Sequence, residues 1–131
     1  MKRLVLGTAL VAAAVAVRAE GPAPTVSYQK EIVPILEQNC ATCHLTGEEA
    51  GGMSLVGDSA IGFLVGKPSQ EAPAVMRVDP GAPDKSYLVM KLEGTHLDHG
   101  GSGARMPFGG FPLDESDMAK IRVWIAQGAK S

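Results

Sequence analysis

The five residues Cys40-Ala41-Thr42-Cys43-His44 constrain this chain more than any other feature of it. On a helix, positions i, i+3 and i+4 share one face, so both thiols and the imidazole can converge on a single flat ligand. Cys-x-x-Cys-His is the attachment pattern of a c-type haem, in which the two thiols bond the macrocycle and the histidine binds iron as proximal ligand. The chain holds two cysteines and three histidines, so chance would assemble the pattern roughly once in a few thousand shuffles. Three other uses of the pair compete with this reading. A thioredoxin-like dithiol would sit near a βαβ alternation, which the sequence lacks. A disulfide between Cys40 and Cys43 would close a very short loop and stabilise little. Zinc could draw on His96 and His99 for two further ligands, but that pair is far from the cysteines and tighter than the usual finger spacing.

Residues 1–19 read as a secretory leader that is removed from the mature chain. Lys2 and Arg3 make a charged start, Leu4 to Val17 is almost wholly apolar, and Val17-Arg18-Ala19 offers small residues for cleavage before Glu20. The apolar run is short for a membrane span, with a retained anchor as the alternative, and no cysteine follows it to take a lipid. Export to the periplasm agrees with the haem box, because bacteria attach haem c outside the cytoplasm.

Removal of the leader leaves 112 residues, 20–131, enough for one small domain with one redox centre. The whole chain carries 12 basic and 14 acidic residues; without Lys2, Arg3 and Arg18 the balance is 9 against 14, a net charge of about −5. That balance argues against nucleic acid or an anionic membrane surface as partner. Aromatic residues are only 5% of the chain, so a haem is expected to supply part of the core and the apo form to fold poorly.

Along the mature chain, 20–26 reads as an extended arm. Ile32, Ile35 and Leu36, continued by Cys40 and Cys43, mark one helical face that runs into the haem box. Pro34 fits only a first turn, which places the start of that helix near Glu31 and its end between Gln38 and Cys40. Glycines at 47, 51, 52 and 57 predict a loop, Ala60 to Val65 one or two helical turns, and the prolines at 68, 73, 80 and 83 an irregular stretch with an extended piece at Val75 to Val78. A helix over Ser86 to Leu92 is stopped by Gly94. Gly94 to Gly110 is a long loop holding His96, His99 and Met106-Pro107, and such a loop in a compact domain is usually functional. The closing helix has Asp114 as N-cap, an apolar face of Met118, Ile121 and Ile125 beside Trp124, and Gly128 as its stop. Its expected partner is the helix of Ile32, Ile35 and Leu36.

Taken together, Ile-x-x-Ile-Leu leading into Cys-Ala-Thr-Cys-His, Pro-Gly-x-Pro-x-x-Ser-x-Leu, Arg-Met-Pro-Phe-Gly-Gly and the final Ile-x-x-Trp-Ile-x-x-Gly-Ala resemble a monohaem class I cytochrome c domain over nearly the whole mature sequence. The resemblance implies an all-α fold with N- and C-terminal helices crossing beside a covalently bound haem, and a late-loop methionine on iron opposite the histidine. Carried over position by position, it implicates Cys40, Cys43, His44 and Met106. Ligand chemistry agrees, since a thioether favours ferrous iron and Met/His ligation raises the reduction potential. Met1 lies in the leader, Met90 and Met118 read as core, and Met53 and Met76 are loop residues without a matching motif. His96 and His99 are expected to face solvent, Arg105 to be solvated with a haem propionate as its alternative partner, and Trp124 to be core.

The function so implied is that of an exported monohaem c-type cytochrome passing single electrons from a donor dehydrogenase to an acceptor oxidase or reductase. It would be a monomer, not an enzyme, with no integral span in its mature form. Two alternatives stand beside it. A haem enzyme or peroxide or gas sensor would have an open sixth site served by the His96–His99 loop, and a subunit of a larger dehydrogenase would share the ligation but dock permanently.

Overall fold

The computed structural model describes residues 24–131; the leader expected over 1–19 lies outside the described residues. Four α-helices and short 3₁₀ or π turns make up the regular structure: α1 Val33–Asn39, α2 Ala60–Leu64, α3 Tyr87–Glu93 and α4 Glu115–Ala126. Among the described residues there is no β-strand beyond two isolated bridges, Val65 with Val78 and Pro68 with Met76. The domain is therefore all-α, as expected. None of the described helices is long and apolar enough to cross a membrane.

The first helical segment starts earlier than Glu31. A π-type turn over Tyr28–Ile32 precedes α1, with Ser27 as N-cap: its hydroxyl accepts from Lys30 N, and the Glu31 carboxylate reaches back to Ser27 N at 2.8 Å. Pro34 explains the wider turn. A proline in a regular α-helix leaves the carbonyl four residues back without a donor and crowds it, and here Val33 N bonds Tyr28 O in the longer i to i−5 pattern. The early start buries Tyr28 along with Ile32, Ile35 and Leu36.

Helix α4 packs on this first turn rather than further along α1. The Tyr28 and Trp124 rings lie 5.4 Å apart between centroids, tilted by 30°, and Trp124 Nε1 donates to Lys130 O at 2.9 Å. Trp124, Ile121 and Ile125 are buried with Ile32, Leu36, Leu64 and Val78 in one core. Asp114 caps α4 by accepting from Asp117 N at 2.9 Å, and Gly128, at φ +99°, follows its last residues. Gln127 then clamps the N-terminal arm, accepting from Val26 N and donating to Pro24 O.

The Pro-Gly-x-Pro-x-x-Ser piece is a turn organised by a buried hydroxyl. Ser86 is fully buried; its Oγ donates to Ala82 O at 3.0 Å and accepts from Asp79 N at 2.9 Å. Gly81 N donates to Ile125 O at 2.8 Å, fastening the turn to α4. Arg122 on α4 pairs with Asp84 in this turn and with Glu93 at the end of α3. Ser86→Ala leaves the Asp79 N–H without its partner and is expected to cost about 1–3 kcal/mol of unfolding free energy, measured by denaturant titration with Asp84→Ala, an exposed ion-pair partner, as the near-neutral control.

Candidate functional site

The Cys40–His44 segment continues directly from α1. Cys40 N and Ala41 N both donate to Leu36 O, and Cys43 N and His44 N both donate to Cys40 O, so the box is a further helical turn after the α1 C-terminus. The His44 carbonyl accepts from Leu55 N at 2.8 Å, and Ser54 Oγ donates to Leu45 O, which fastens the following loop beneath the box. Within that loop the Glu49 carboxylate collects Thr46 N, Thr46 Oγ1 and Gly47 N. Bonds to its own backbone and to these groups hold its pKa down to about 2.

These elements form one wall of a cleft of about 390 Å³, within the roughly 300–1,000 Å³ of small-molecule and cofactor sites. Cys40, Cys43, His44 and Met106 all line it. The rest of the lining is mostly apolar, from Met53 and Leu55 on the loop, Leu64 on α2, and Leu88 and Leu92 on α3, with Pro107 and Phe108 at its border. The four residues singled out from sequence are thus brought together on one cavity.

Ring nitrogens and thiols are set for holding rather than for nucleophilic work. His44 Nδ1 is buried and has no hydrogen-bond partner, and the residue lines the cleft. Burial lowers the His44 pKa; Glu49 opposes this and nearby Arg77 reinforces it, a shift toward the neutral imidazole, the form that binds metal. Cys40 and Cys43 are both free thiols. Burial first, and the neighbouring Cys43 second, push the Cys40 pKa up to about 11. Reactive dithiols have depressed pKa values, so this thiol lacks the activation a thioredoxin-like site needs. The all-α fold likewise lacks the βαβ setting of that site.

Two methionines reach the cleft, Met53 and Met106. Their positions differ: a Cβ added at Gly51 would meet both Met53 Cε, at 2.9 Å, and His44 Cε1, at 3.7 Å. Met53 therefore sits on the His44 wall, whereas Met106 comes from the late loop, its N donating to Lys91 O at 3.0 Å. Met76 is 42% exposed and Met90 belongs to a separate small cluster with Ala72 and Tyr87.

The loop that carries Met106 corrects the expectation for one histidine. His99 is exposed, but His96 is 2% exposed, not solvent-facing. Its Nε2 bonds Gly103 O at 3.0 Å and its ring stands edge-on to Tyr87, centroids 6.4 Å apart. Lys91 is buried beside it, paired with Glu71 at 2.6 Å and donating to Ser102 O at 2.6 Å; Tyr87 Oη donates to the same Glu71 oxygen. Gly101 lets the loop pass this closely, because an added Cβ would collide with Tyr87 Oη and lie 2.7 Å from His96 O. His96 and Lys91 thus pin 101–103, three to five residues before Met106. His96→Ala leaves Gly103 O unsatisfied and is expected to cost about 1–3 kcal/mol of unfolding free energy, measured by denaturant titration; an unchanged stability would show that the Gly103 carbonyl finds another donor.

Among the described residues no three His, Cys, Asp or Glu side chains gather to hold a metal ion. The proposed zinc set of Cys40, Cys43, His96 and His99 is not assembled. Arg105 is exposed and outside the cleft lining. Sequence reasoning missed a different arginine: Arg77, 7% exposed, lines the cleft and binds the carbonyls of Phe63, Gly51 and Gly52. No signal in its surroundings, Val75-Met76-Arg77-Val78, separates it from a solvated arginine.

No protein-family model matches the chain, and no curated protein or solved structure matches it.

Proposed function

We propose that this chain is a monohaem c-type cytochrome of class I type that is exported and transfers single electrons between redox proteins. The observation that carries the reading is the convergence of Cys40, Cys43, His44 and Met106 on one mainly apolar cleft, with a donor set of two thiols, an imidazole and a thioether that suits haem c.

Cys40 and Cys43 would hold the haem by thioether bonds, and His44 and Met106 would bind its iron. A bound haem would supply one iron that gains and loses a single electron. The chain's own contribution would be to hold both ligands through the cycle: the turn after α1 carries His44, and the pinned late loop carries Met106. Leu55, Leu64, Leu88 and Leu92 line the cavity, and an apolar lining together with the methionine sulfur would favour the less charged ferrous state and a high potential. With both positions filled, no site remains for a substrate, so the partners are a donor dehydrogenase and an acceptor oxidase or reductase met through small transient interfaces.

Reversible potentiometric titration of the haem-loaded protein tests this. A single one-electron wave at positive potential is the expected result; turnover of peroxide at a rate dependent on His99 would favour an enzymatic haem site instead.

A further inference from the structure

The most enclosed ion pair of the described residues stands in the wall of the cleft, beneath the late loop. Lys91 Nζ lies 2.6 Å from Glu71 Oε2, and the two side chains are 10% and 31% exposed; both residues line the cleft. The Tyr87 hydroxyl donates to the same carboxylate oxygen at 2.6 Å. Burial acts to raise the Glu71 pKa, but the bonds from Lys91 and Tyr87 outweigh it and hold the pKa below its ordinary value, so the carboxylate is charged at neutral pH. Its place in the chain is fixed from behind: the buried Ser69 hydroxyl accepts from Glu71 N at 3.2 Å and from Ala72 N at 3.3 Å.

The late loop rests on this group. Lys91 Nζ also donates to Ser102 O at 2.6 Å, and Lys91 O accepts from Met106 N at 3.0 Å, so one residue holds the loop at two points. A Cβ built on Gly103 would lie 3.2 Å from Glu71 Oε1 and 3.4 Å from Lys91 Nζ, and one on Gly101 would collide with the Tyr87 hydroxyl. Two glycines thus let the backbone settle onto the carboxylate, the ammonium and the phenol, and of these three groups Glu71 alone is negative. Without it the Lys91 ammonium would be a buried charge left with the Ser102 carbonyl and the Tyr87 ring, 5.9 Å away, which is strongly unfavourable. It would turn to water and release Ser102 O.

We propose that Glu71 is a positioning residue for the sulfur ligand: through Lys91 it holds the 101–106 loop and thereby sets how firmly Met106 stays on the iron. In that role, which rests on the cytochrome reading, Glu71 lies outside the ligand set and acts on the iron only through the loop.

The test uses the haem-loaded parent, Glu71→Gln, Glu71→Asp, Lys91→Met and the double variant of Glu71→Gln with Lys91→Met, each at a temperature where its circular dichroism shows it folded. Glu71→Gln is expected to bind added cyanide roughly tenfold faster or more, to weaken the absorption band of sulfur bound to ferric iron, and to speed deuterium exchange of the Met106 amide. Glu71→Asp keeps the charge on a shorter stem and is expected to fall between the parent and Glu71→Gln. Because Glu71 acts through Lys91, the double variant is expected to bind cyanide no faster than Lys91→Met alone; additive increases would overturn that route. Parent-like cyanide rate, band and Met106 exchange in Glu71→Gln would overturn the proposal even if stability falls, and would leave the ion pair a brace of the core. Should Glu71→Gln fail to fold, Glu71→Asp decides by the same three readouts, parent-like values again overturning the proposal. A parent chain that takes up no haem is a distinct failure, which overturns the cytochrome reading and this role with it.

Discussion

Replacing Cys40 and Cys43 together by alanine is expected to leave no haem on the chain after denaturation, and on the proposed cytochrome reading the parent is expected to retain one haem per chain through the same treatment. The reason is chemical: these are the only thiols in the sequence, and bonds from iron to His44 and Met106 would not survive unfolding. Haem-stained denaturing gels give the comparison directly. The double variant is also expected to lose thermal stability, because a binder of the folded state stabilises by mass action and the leucines facing the cleft lose an apolar partner. Single variants separate the two thiols. Cys40 is half-buried and Cys43 exposed, so Cys40→Ala is expected to disturb the fold more than Cys43→Ala. Haem that stays bound after denaturation of the double variant would refute attachment through this pair.

Met106→Ala has the next largest expected effect. On the proposed reading it is expected to remove the weak long-wavelength absorption band of sulfur bound to ferric iron, to lower the reduction potential, and to turn slow cyanide binding into fast binding. Met53→Ala is the control. Met53 also reaches the cleft but lies near His44 on the same wall, so its removal is expected to leave the sulfur band intact. Exchange of these outcomes between the two variants would move the ligand assignment to Met53.

What was legible in the sequence is what local chemistry dictates. The Cys40–His44 motif is continuous and helical in spacing, the Met106-Pro107 pair stands in a loop too long to be mere connection, and α2, α3 and α4 announce themselves by apolar rhythm, a capping aspartate and stopping glycines. Pro34 does stand in the first turn of α1, as its chemistry requires; what the sequence pattern does not reveal is the π turn over Tyr28–Ile32 ahead of it, through which Tyr28 joins the core. Two site features were invisible for a different reason. Arg77 finds its carbonyl partners 14, 25 and 26 residues away, and His96 is buried by Tyr87 and Gly103. Neither neighbourhood has a local pattern: a polar residue among glycines looks solvated until the loop is seen folded over α3.

The late loop links the fold to the site in a way composition alone does not reveal. Gly94, at φ +83°, ends α3 and turns the chain back; Lys91 and His96 then hold 102–103, and Lys91 O receives the Met106 amide. Helix α3 thus carries both the cleft's apolar wall, through Leu88 and Leu92, and the anchor of its sulfur residue. Phe108, at 75% exposed, and Phe111, at 93%, follow immediately, so the chain leaves the cleft with its largest apolar groups outward.

The most direct measurement of the central claim is the ferric and ferrous absorption spectrum of the chain produced with a haem-attachment system, taken before and after addition of cyanide or carbon monoxide. A low-spin spectrum with the sulfur-to-iron band and sluggish ligand binding is the expected result. A high-spin ferric spectrum with immediate ligand binding would contradict an electron carrier held by His44 and Met106, and a chain that takes up no haem would contradict the cytochrome reading altogether.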